Sequence, residues 1–218
     1  MTPVHLRDLN HRQCKRLIRS FMFVKAKYDG SGRFDKVKSR LVIDGRIQDK
    51  KSLGNTSAPT AALESIFSVL KLACVECRKV KIWDVTGAFL NAAMGDEDEV
   101  HMILNTDLVD MILTWFPDLT PYKDEHGRMV VKLNKALYGL VQSALLWYEH
   151  VIRFLSSHGF VQNETDRCVL NKMCGVYQVT ICLYIDDMLV TCVNEAALAD
   201  IKGLLEAEYG KLQEKNWR

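Results

Sequence analysis

Two adjacent carboxylates, Asp186 and Asp187, lie inside a long apolar run. Val179-Thr180-Ile181-Cys182-Leu183 and Tyr184-Ile185 precede them, and Met188-Leu189-Val190-Thr191-Cys192-Val193 follows. An ionised carboxylate in such surroundings is strongly disfavoured unless it is paired or binds a metal. Val, Ile, Thr and Tyr favour strands. The pattern predicts two strands joined by a tight turn, with both aspartates at its tip. Paired carboxylates on a rigid hairpin suit a hard divalent cation, since Mg2+ takes one or two carboxylates together with substrate phosphates. Asp-Asp is also an ordinary turn pair, so the hairpin alone leaves both readings open.

A third carboxylate narrows the choice. Asp84 ends a predicted strand, Val80-Lys81-Ile82-Trp83-Asp84-Val85, and Thr86-Gly87-Ala88-Phe89-Leu90-Asn91 follows as a tight turn into a short helix. Two-metal phosphoryl transfer requires acidic ligands from separate strands to converge, and Asp84, Asp186 and Asp187 are the set that could do so. The opposite charge is supplied early in the chain. Residues 21–28 and 34–43 read as strands around Asp29-Gly30-Ser31-Gly32, a strong turn signal. On the second of them Lys36, Lys38 and Arg40 occupy one face, and Val37 and Leu41 the other. Lys38 and Arg40 could neutralise a nucleoside triphosphate. A basic strand face is also commonly plain solvated surface.

Charge is unevenly distributed. Residues 1–54 carry 14 Lys/Arg against 5 Asp/Glu, while the whole 218-residue chain has a net charge of only +2. A basic N-terminal third is an electrostatic footprint for a polyanion. The rest is acidic, in keeping with a metal site. No apolar run reaches the length of a membrane-spanning helix. The seven cysteines are odd in number and scattered through apolar segments, the pattern of a reduced, intracellular chain. Cys74 and Cys77 form a C-x-x-C without a second pair at zinc spacing, so they read as helix-packing residues.

The elements that must position these groups can be read in outline. Residues 5–20 predict a short basic helix, and 44–58 a loop. Leu63, Ile66, Phe67, Leu70 and Ala73 recur at helical spacing. Residues 92–99 are small and acidic, Val100–Leu104 and 129–133 are strands, and 108–116 has helical spacing. Leu145 to His158 is an amphipathic helix stopped by Gly159. Residues 160–166 read as a loop and 168–173 as a strand, and a helix from Glu195 to Tyr209 follows the aspartate hairpin. Interleaved strands and helices of this kind point to an α+β fold with helices packed on an antiparallel sheet.

Four stretches, in this order, resemble the reverse transcriptase of copia-type retrotransposons. Val37-Lys38-Ser39-Arg40-Leu41-Val42 is similar to that family's fingers strand. Trp83 to Asn91 is similar to its first catalytic motif. Lys135-Ala136-Leu137-Tyr138-Gly139-Leu140-Val141-Gln142-Ser143-Ala144-Leu145-Leu146-Trp147-Tyr148 is similar to its template-and-nucleotide motif, and Tyr184-Ile185-Asp186-Asp187 to its catalytic hairpin. Gly159-Phe160 and Asp166 also match. Val141 stands where many members carry Lys, and Ala144-Leu145 where Pro-Arg is frequent.

The resemblance implies a right-hand polymerase fold. Residues 1–218 would form one fingers-palm domain, with fingers elements mainly in 1–78 and palm elements mainly in 79–104 and 129–218. Thumb and ribonuclease H parts are expected to be absent, lying beyond Arg218. The implied activity is RNA-directed DNA polymerisation with Mg2+, or alternatively Mn2+, as cofactor. Asp84 and Asp186 would be the principal metal ligands, Asp187 the third carboxylate, and the Val85 carbonyl would complete one metal shell. Phe89 would lie under the deoxyribose and exclude a 2′-hydroxyl. Lys38 and Arg40 would hold the triphosphate, Gln142 would reach the nucleotide or template, and Tyr184 would pack near the primer end. Implied partners are an RNA or DNA template with its primer, deoxynucleoside triphosphates, and the remainder of a Pol polyprotein, without a membrane. The implied location is intracellular, within a cytoplasmic virus-like particle for an active element. A catalytically inactive remnant that at most binds nucleic acid is the competing expectation. Another palm-type enzyme, such as a nucleotide cyclase or an RNA-directed RNA polymerase, is a third.

Overall fold

The computed structural model describes residues 1–48, 54–95 and 99–215. Parts of the expected 44–58 loop and of the acidic 92–99 segment fall on residues 49–53 and 96–98, outside the described residues. Along the chain come β1 (Thr2–Val4), α1 (His11–Lys15), β2 (Ile18–Tyr28), β3 (Phe34–Ile43), α2 (Leu63–Val75), β4 (Lys79–Asp84) and β5 (His101–Leu104). Next are α3 (Thr106–Trp115), β6 (Met129–Lys132), α4 (Ser143–Ser157), β7 (Val161–Gln162) and β8 (Val169–Cys174). The chain ends with β9 (Tyr177–Tyr184), β10 (Asp187–Cys192), α5 (Glu195–Tyr209) and β11 (Gln213–Lys215). The chain divides into two compact units.

One unit comprises Met1–Thr56 and Ala92–Leu146. Its five-stranded sheet has the order β1-β6-β5-β2-β3. The helix expected over 5–20 is shorter than predicted. A 3-10 turn at Leu6–Asp8 and α1 share the stretch, and β2 already begins at Ile18. Asn10 and Gln13 cap α1 reciprocally, a capping box that fixes its start. β1 escapes sequence reading because three residues carry no periodicity. It exists by pairing with β6, and Pro3 is tolerated in it on the sheet edge. Ile18, Ile43, Met102, Val109, Val131 and Leu137 belong to this unit's core. Only Ile18 and Arg19 of β2 pair with β5; from Ser20 onward β2 pairs with β3 alone. The β2–β3 ribbon is therefore exposed on both faces from Phe21 to Arg40.

The other unit comprises Ser57–Asn91 and Trp147–Arg218. Its six-stranded sheet, β11-β4-β10-β9-β8-β7, is antiparallel throughout. Val179 to Leu183 of β9 and Met188 to Cys192 of β10 are all buried. Strands buried on both faces need continuous apolar sequence rather than alternation, which is why the flanks of the aspartates read as one run. α2 packs against β4 and β10, and α5 against β9 and β10. Trp147, His150 and Phe154 of α4 meet Tyr209 of α5 in an aromatic cluster. Burying such a side chain contributes on the order of 1.5–3 kcal/mol.

The reading of Cys74 and Cys77 as packing residues is corrected. Both are exposed, and Cys77 stands past the end of α2 with φ +52°. The buried side of α2 runs through Ile66, Val69, Leu70 and Ala73. At 100° per residue Cys74 has already turned off that stripe. Among the described residues no helix is long and apolar enough to cross a membrane.

Candidate functional site

Asp84 is the last residue of β4. It stands directly opposite Asp187 of β10 on one side and Gln213 of β11 on the other. The β9–β10 hairpin closes through a two-residue turn, Ile185-Asp186, since Tyr184 pairs with Asp187. Asp186 is thus at the tip, as expected, while Asp187 is already the first residue of β10. Ile185 has φ +58°. Left-handed backbone at the first central position alone is the pattern of a type II′ turn, where Gly normally stands. A β-branched residue there stores strain of roughly 1–3 kcal/mol, and two hydrogen bonds hold the turn in place. The buried Trp147 indole N–H donates to the Ile185 carbonyl at 2.7 Å, and the Val85 N–H donates to the Asp186 carbonyl at 3.1 Å.

One carboxylate oxygen from each of Asp84, Asp186 and Asp187 lies within 4.8 Å of the others. Among the described residues they are the one group of His, Cys, Asp or Glu that could hold a metal ion. The donor set fits a hard divalent cation: three carboxylates, with neither thiolate nor imidazole beside them. The Val85 carbonyl, expected as a fourth ligand, accepts a hydrogen bond from the Ala88 N–H at 3.2 Å. A carbonyl has two lone pairs, so one remains.

Lys215 of β11 reaches into this cluster. Its Nζ lies 3.0 Å from Asp84 Oδ1 and hydrogen-bonds Asp187 Oδ1. Burial pulls its ammonium pKa down, but the bonds to Asp187 and then Asp84 outweigh it and raise the pKa. β11 is anchored by Glu214, which pairs with Lys81 at 2.7 Å and Lys202 at 3.5 Å. Sequence reading missed Lys215. Gln-Glu-Lys has no apolar alternation, and only pairing with β4 carries the lysine to the carboxylates. Trp147 was missed as a site residue too, although it stands inside a motif already singled out.

Phe89 and Tyr184 belong to the same unit. Phe89 is half-buried on the 3-10 turn Ala88–Asn91, which Gly87 opens with φ +69°. Tyr184 is 50% exposed and directly opposite Asp187. Lys38, Arg40 and Gln142 belong to the other unit. There the two cations differ. The Arg40 guanidinium sits over the Tyr138 ring, 5.3 Å from its centroid, whereas Lys38 has no ion-pair partner among the described residues. The register adds lysines that sequence reading left out: Lys25 is directly opposite Lys38, and Lys27 opposite Lys36. The alternation Lys25-Ala26-Lys27 was the available signal. Gln142, just before α4, is 4% exposed.

The family model described as reverse transcriptase (RNA-dependent DNA polymerase) matches residues 10–214. The chain is 29% identical over 200 residues to the retrovirus-related Pol polyprotein from transposon TNT 1-94 of Nicotiana tabacum, covering 89% of this chain and 14% of that protein. It is 30% identical over 172 residues to the corresponding polyprotein from transposon RE1 of Arabidopsis thaliana, covering 78% and 11%. It is 26% identical over 201 residues to the Ty1-BL Gag-Pol polyprotein of Saccharomyces cerevisiae, covering 89% and 10%. The chain thus spans a small part of the length of these relatives. With the aspartates and motifs in place along a matched span of this extent, the chain belongs to the reverse transcriptase (RNA-dependent DNA polymerase) family, in its copia-type branch.

Proposed function

We propose that this chain is the fingers-palm part of an RNA-directed DNA polymerase, with the unit that carries the aspartates as palm and the basic ribbon as part of the fingers. The reaction is attack of a primer 3′-hydroxyl on the α-phosphate of a deoxynucleoside triphosphate, with pyrophosphate leaving. The observation that carries this reading is the convergence of Asp84, Asp186 and Asp187 on paired strands in a chain of this family. These carboxylates, with the Val85 carbonyl, would hold the Mg2+ ions. When bound, the ions supply activation of the attacking hydroxyl and charge stabilisation on the leaving oxygens.

The chain's own residues bind and orient. The hydrogen-bonded hairpin tip keeps Asp186 and Asp187 aimed at one point, and positioning of this kind is a main source of rate in phosphoryl transfer. Phe89 presents its ring to the sugar and excludes a 2′-hydroxyl. Tyr184 packs beside the primer end. Gln142 contacts the nucleotide, and Lys38 and Arg40 take its phosphates. Lys25, Lys27 and Lys36 extend the cationic face along a template strand, whose affinity is then salt-dependent.

Primer extension on poly(rA)·oligo(dT) with dTTP tests the reading. Extension requires Mg2+, and Asp186→Asn lowers it about a thousandfold or more, the scale of several kcal/mol of lost charge stabilisation. Extension that survives Asp186→Asn, or that needs no divalent cation, would overturn it. Phe89→Ala relaxes discrimination against ribonucleotides, and unchanged discrimination would remove Phe89 from the sugar site.

A further inference from the structure

The loop after β3 and the turn before α4 meet backbone to backbone. The Ile43 N–H donates to the Tyr138 carbonyl at 2.9 Å. A Cβ at Gly45 would collide with the Gly139 carbonyl oxygen, and a Cβ at Gly139, φ +94°, with that of Ile43. Two glycines therefore permit an approach that side chains would block. The approach sets Gln48 beside Gln142. Gln48 Oε1 accepts the Val141 backbone N–H at 2.8 Å, and Gln48 Nε2 donates to Gln142 Oε1 at 3.0 Å.

This relay runs in one direction only. A backbone N–H can only donate, so Gln48 turns its carbonyl oxygen to Val141. Its NH2 then faces Gln142, which must answer with its own oxygen. The Gln142 NH2 is left pointing away, in a buried side chain, without a hydrogen-bond partner among the described residues. A buried donor left unmade is costly, and an acceptor arriving with a ligand satisfies it.

We infer that Gln48 is a positioning residue that fixes Gln142 as a hydrogen-bond donor. The group Gln142 meets on the incoming nucleotide is then an acceptor oxygen of its sugar, base or phosphates. The inference rests on the reading of Gln142 as a nucleotide contact and adds the polarity of that contact and the residue that sets it. Gln48 was not singled out from the sequence; the glycine-to-glycine approach reveals it.

The test is Gln48→Glu. The carboxylate still accepts from Val141, but its second oxygen now demands a donor, so the Gln142 amide turns over and presents its carbonyl to the ligand. Both hydrogen bonds survive, and the thermal midpoint stays within about 2 °C of wild type. Affinity for a fluorescent dTTP analogue is read on the 218-residue chain with poly(rA)·oligo(dT), Ca2+ replacing Mg2+ to prevent turnover. It falls about tenfold, the scale of one hydrogen bond to a buried donor. In a Gln142→Ala background Gln48→Glu has no further effect. If Gln48→Glu does not fold, Gln48→Met carries the same test: it frees the Gln142 amide to rotate and weakens dTTP about threefold, again not in the Gln142→Ala background. Equal weakening with and without the Gln142 side chain means a general structural role and overturns the inference. So does a Gln48→Glu variant with wild-type dTTP affinity where Gln142→Ala weakens it. Weakening confined to poly(rA)·oligo(dT) assigns the acceptor to the template and overturns its placement on the nucleotide. A wild-type chain that takes no dTTP overturns the nucleotide reading of Gln142 itself.

Discussion

The β9–β10 hairpin and the β2–β3 ribbon carry charge of opposite sign on supports of opposite kind. β9 and β10 lie between neighbouring strands on both sides and are buried on both faces up to the turn. Lys215 partly compensates Asp187 of this hairpin, together with Asp84 of the adjoining β4. The ribbon beyond Ser20 pairs only with itself and is exposed on both faces. Its lysines stand directly opposite one another, an arrangement that costs stability. Of Lys25, Lys27, Lys36 and Lys38, only Lys36 has a carboxylate within reach among the described residues, Asp35 at 3.9 Å. On the proposed reading the contrast has a physical reason. A metal site must hold its ligands still and so sits on buried strands. A strand of nucleic acid brings its own charge, so a surface proposed to meet it can stand free and uncompensated.

The largest expected effect tests the closed support of the acidic hairpin. Burial, reinforced by Asp166 and Cys168, pushes the Cys182 thiol of β9 up to about 12. At pH 8 iodoacetamide should alkylate Cys182 about a thousandfold more slowly than a free cysteine, following the thiolate fraction, and far more slowly than the exposed Cys74 and Cys77. Comparable rates by mass spectrometry would mean that the hairpin opens readily and that the contrast with the ribbon is wrong. Next is Trp147→Phe, which keeps the buried ring but removes the donor to the Ile185 carbonyl. Misplacing the tip by as little as 1 Å is expected to lower primer extension about a hundredfold. The accompanying loss of stability is only about 1–2 kcal/mol by urea unfolding. An unaltered extension rate would show that the indole hydrogen bond does not hold the aspartates.

Lys215→Met probes the internal compensation. Removing a cation that touches two of the three carboxylates should raise Mn2+ affinity about tenfold, read by electron paramagnetic resonance. Unchanged affinity would mean that the ammonium swings clear at no cost. The smallest effect belongs to the ribbon. Replacing Lys25, Lys27, Lys36 and Lys38 together by Gln should flatten the salt dependence of template–primer binding by about 0.7–0.9 for each phosphate that is no longer neutralised. The same change should raise the thermal midpoint by roughly 1–2 °C, because the opposed like charges are gone. Weaker binding with higher stability is the signature of an uncompensated surface. A fall in both would place the ribbon with the acidic hairpin as a structural element.

Much of this molecule was legible because its chemistry is local. Asp-Asp within an apolar run predicts a hairpin, and Asp84 at the end of Trp83's strand supplies a third carboxylate at a strand end; that its strand lies beside the hairpin was decided by the β4–β10 pairing. Alternation of Lys36, Lys38 and Arg40 with Val37 and Leu41 places the cations on one face whatever the rest of the chain does. Periodicity similarly located α2 and α5 to within a few residues. The tertiary structure decided what has no local signature. β1 and β11 are too short and too polar to announce themselves and exist only through β6 and β4. Lys215 becomes a counter-ion because β11 pairs beside Asp84. Gln48 becomes a partner of Gln142, 94 residues away, because Gly45 and Gly139 let two loops touch. Residue types and their spacing determine which groups can bind metal or phosphate, since that is a property of the side chains. Which lysine answers which aspartate, and which way an amide points, is a property of backbones brought together from distant sequence.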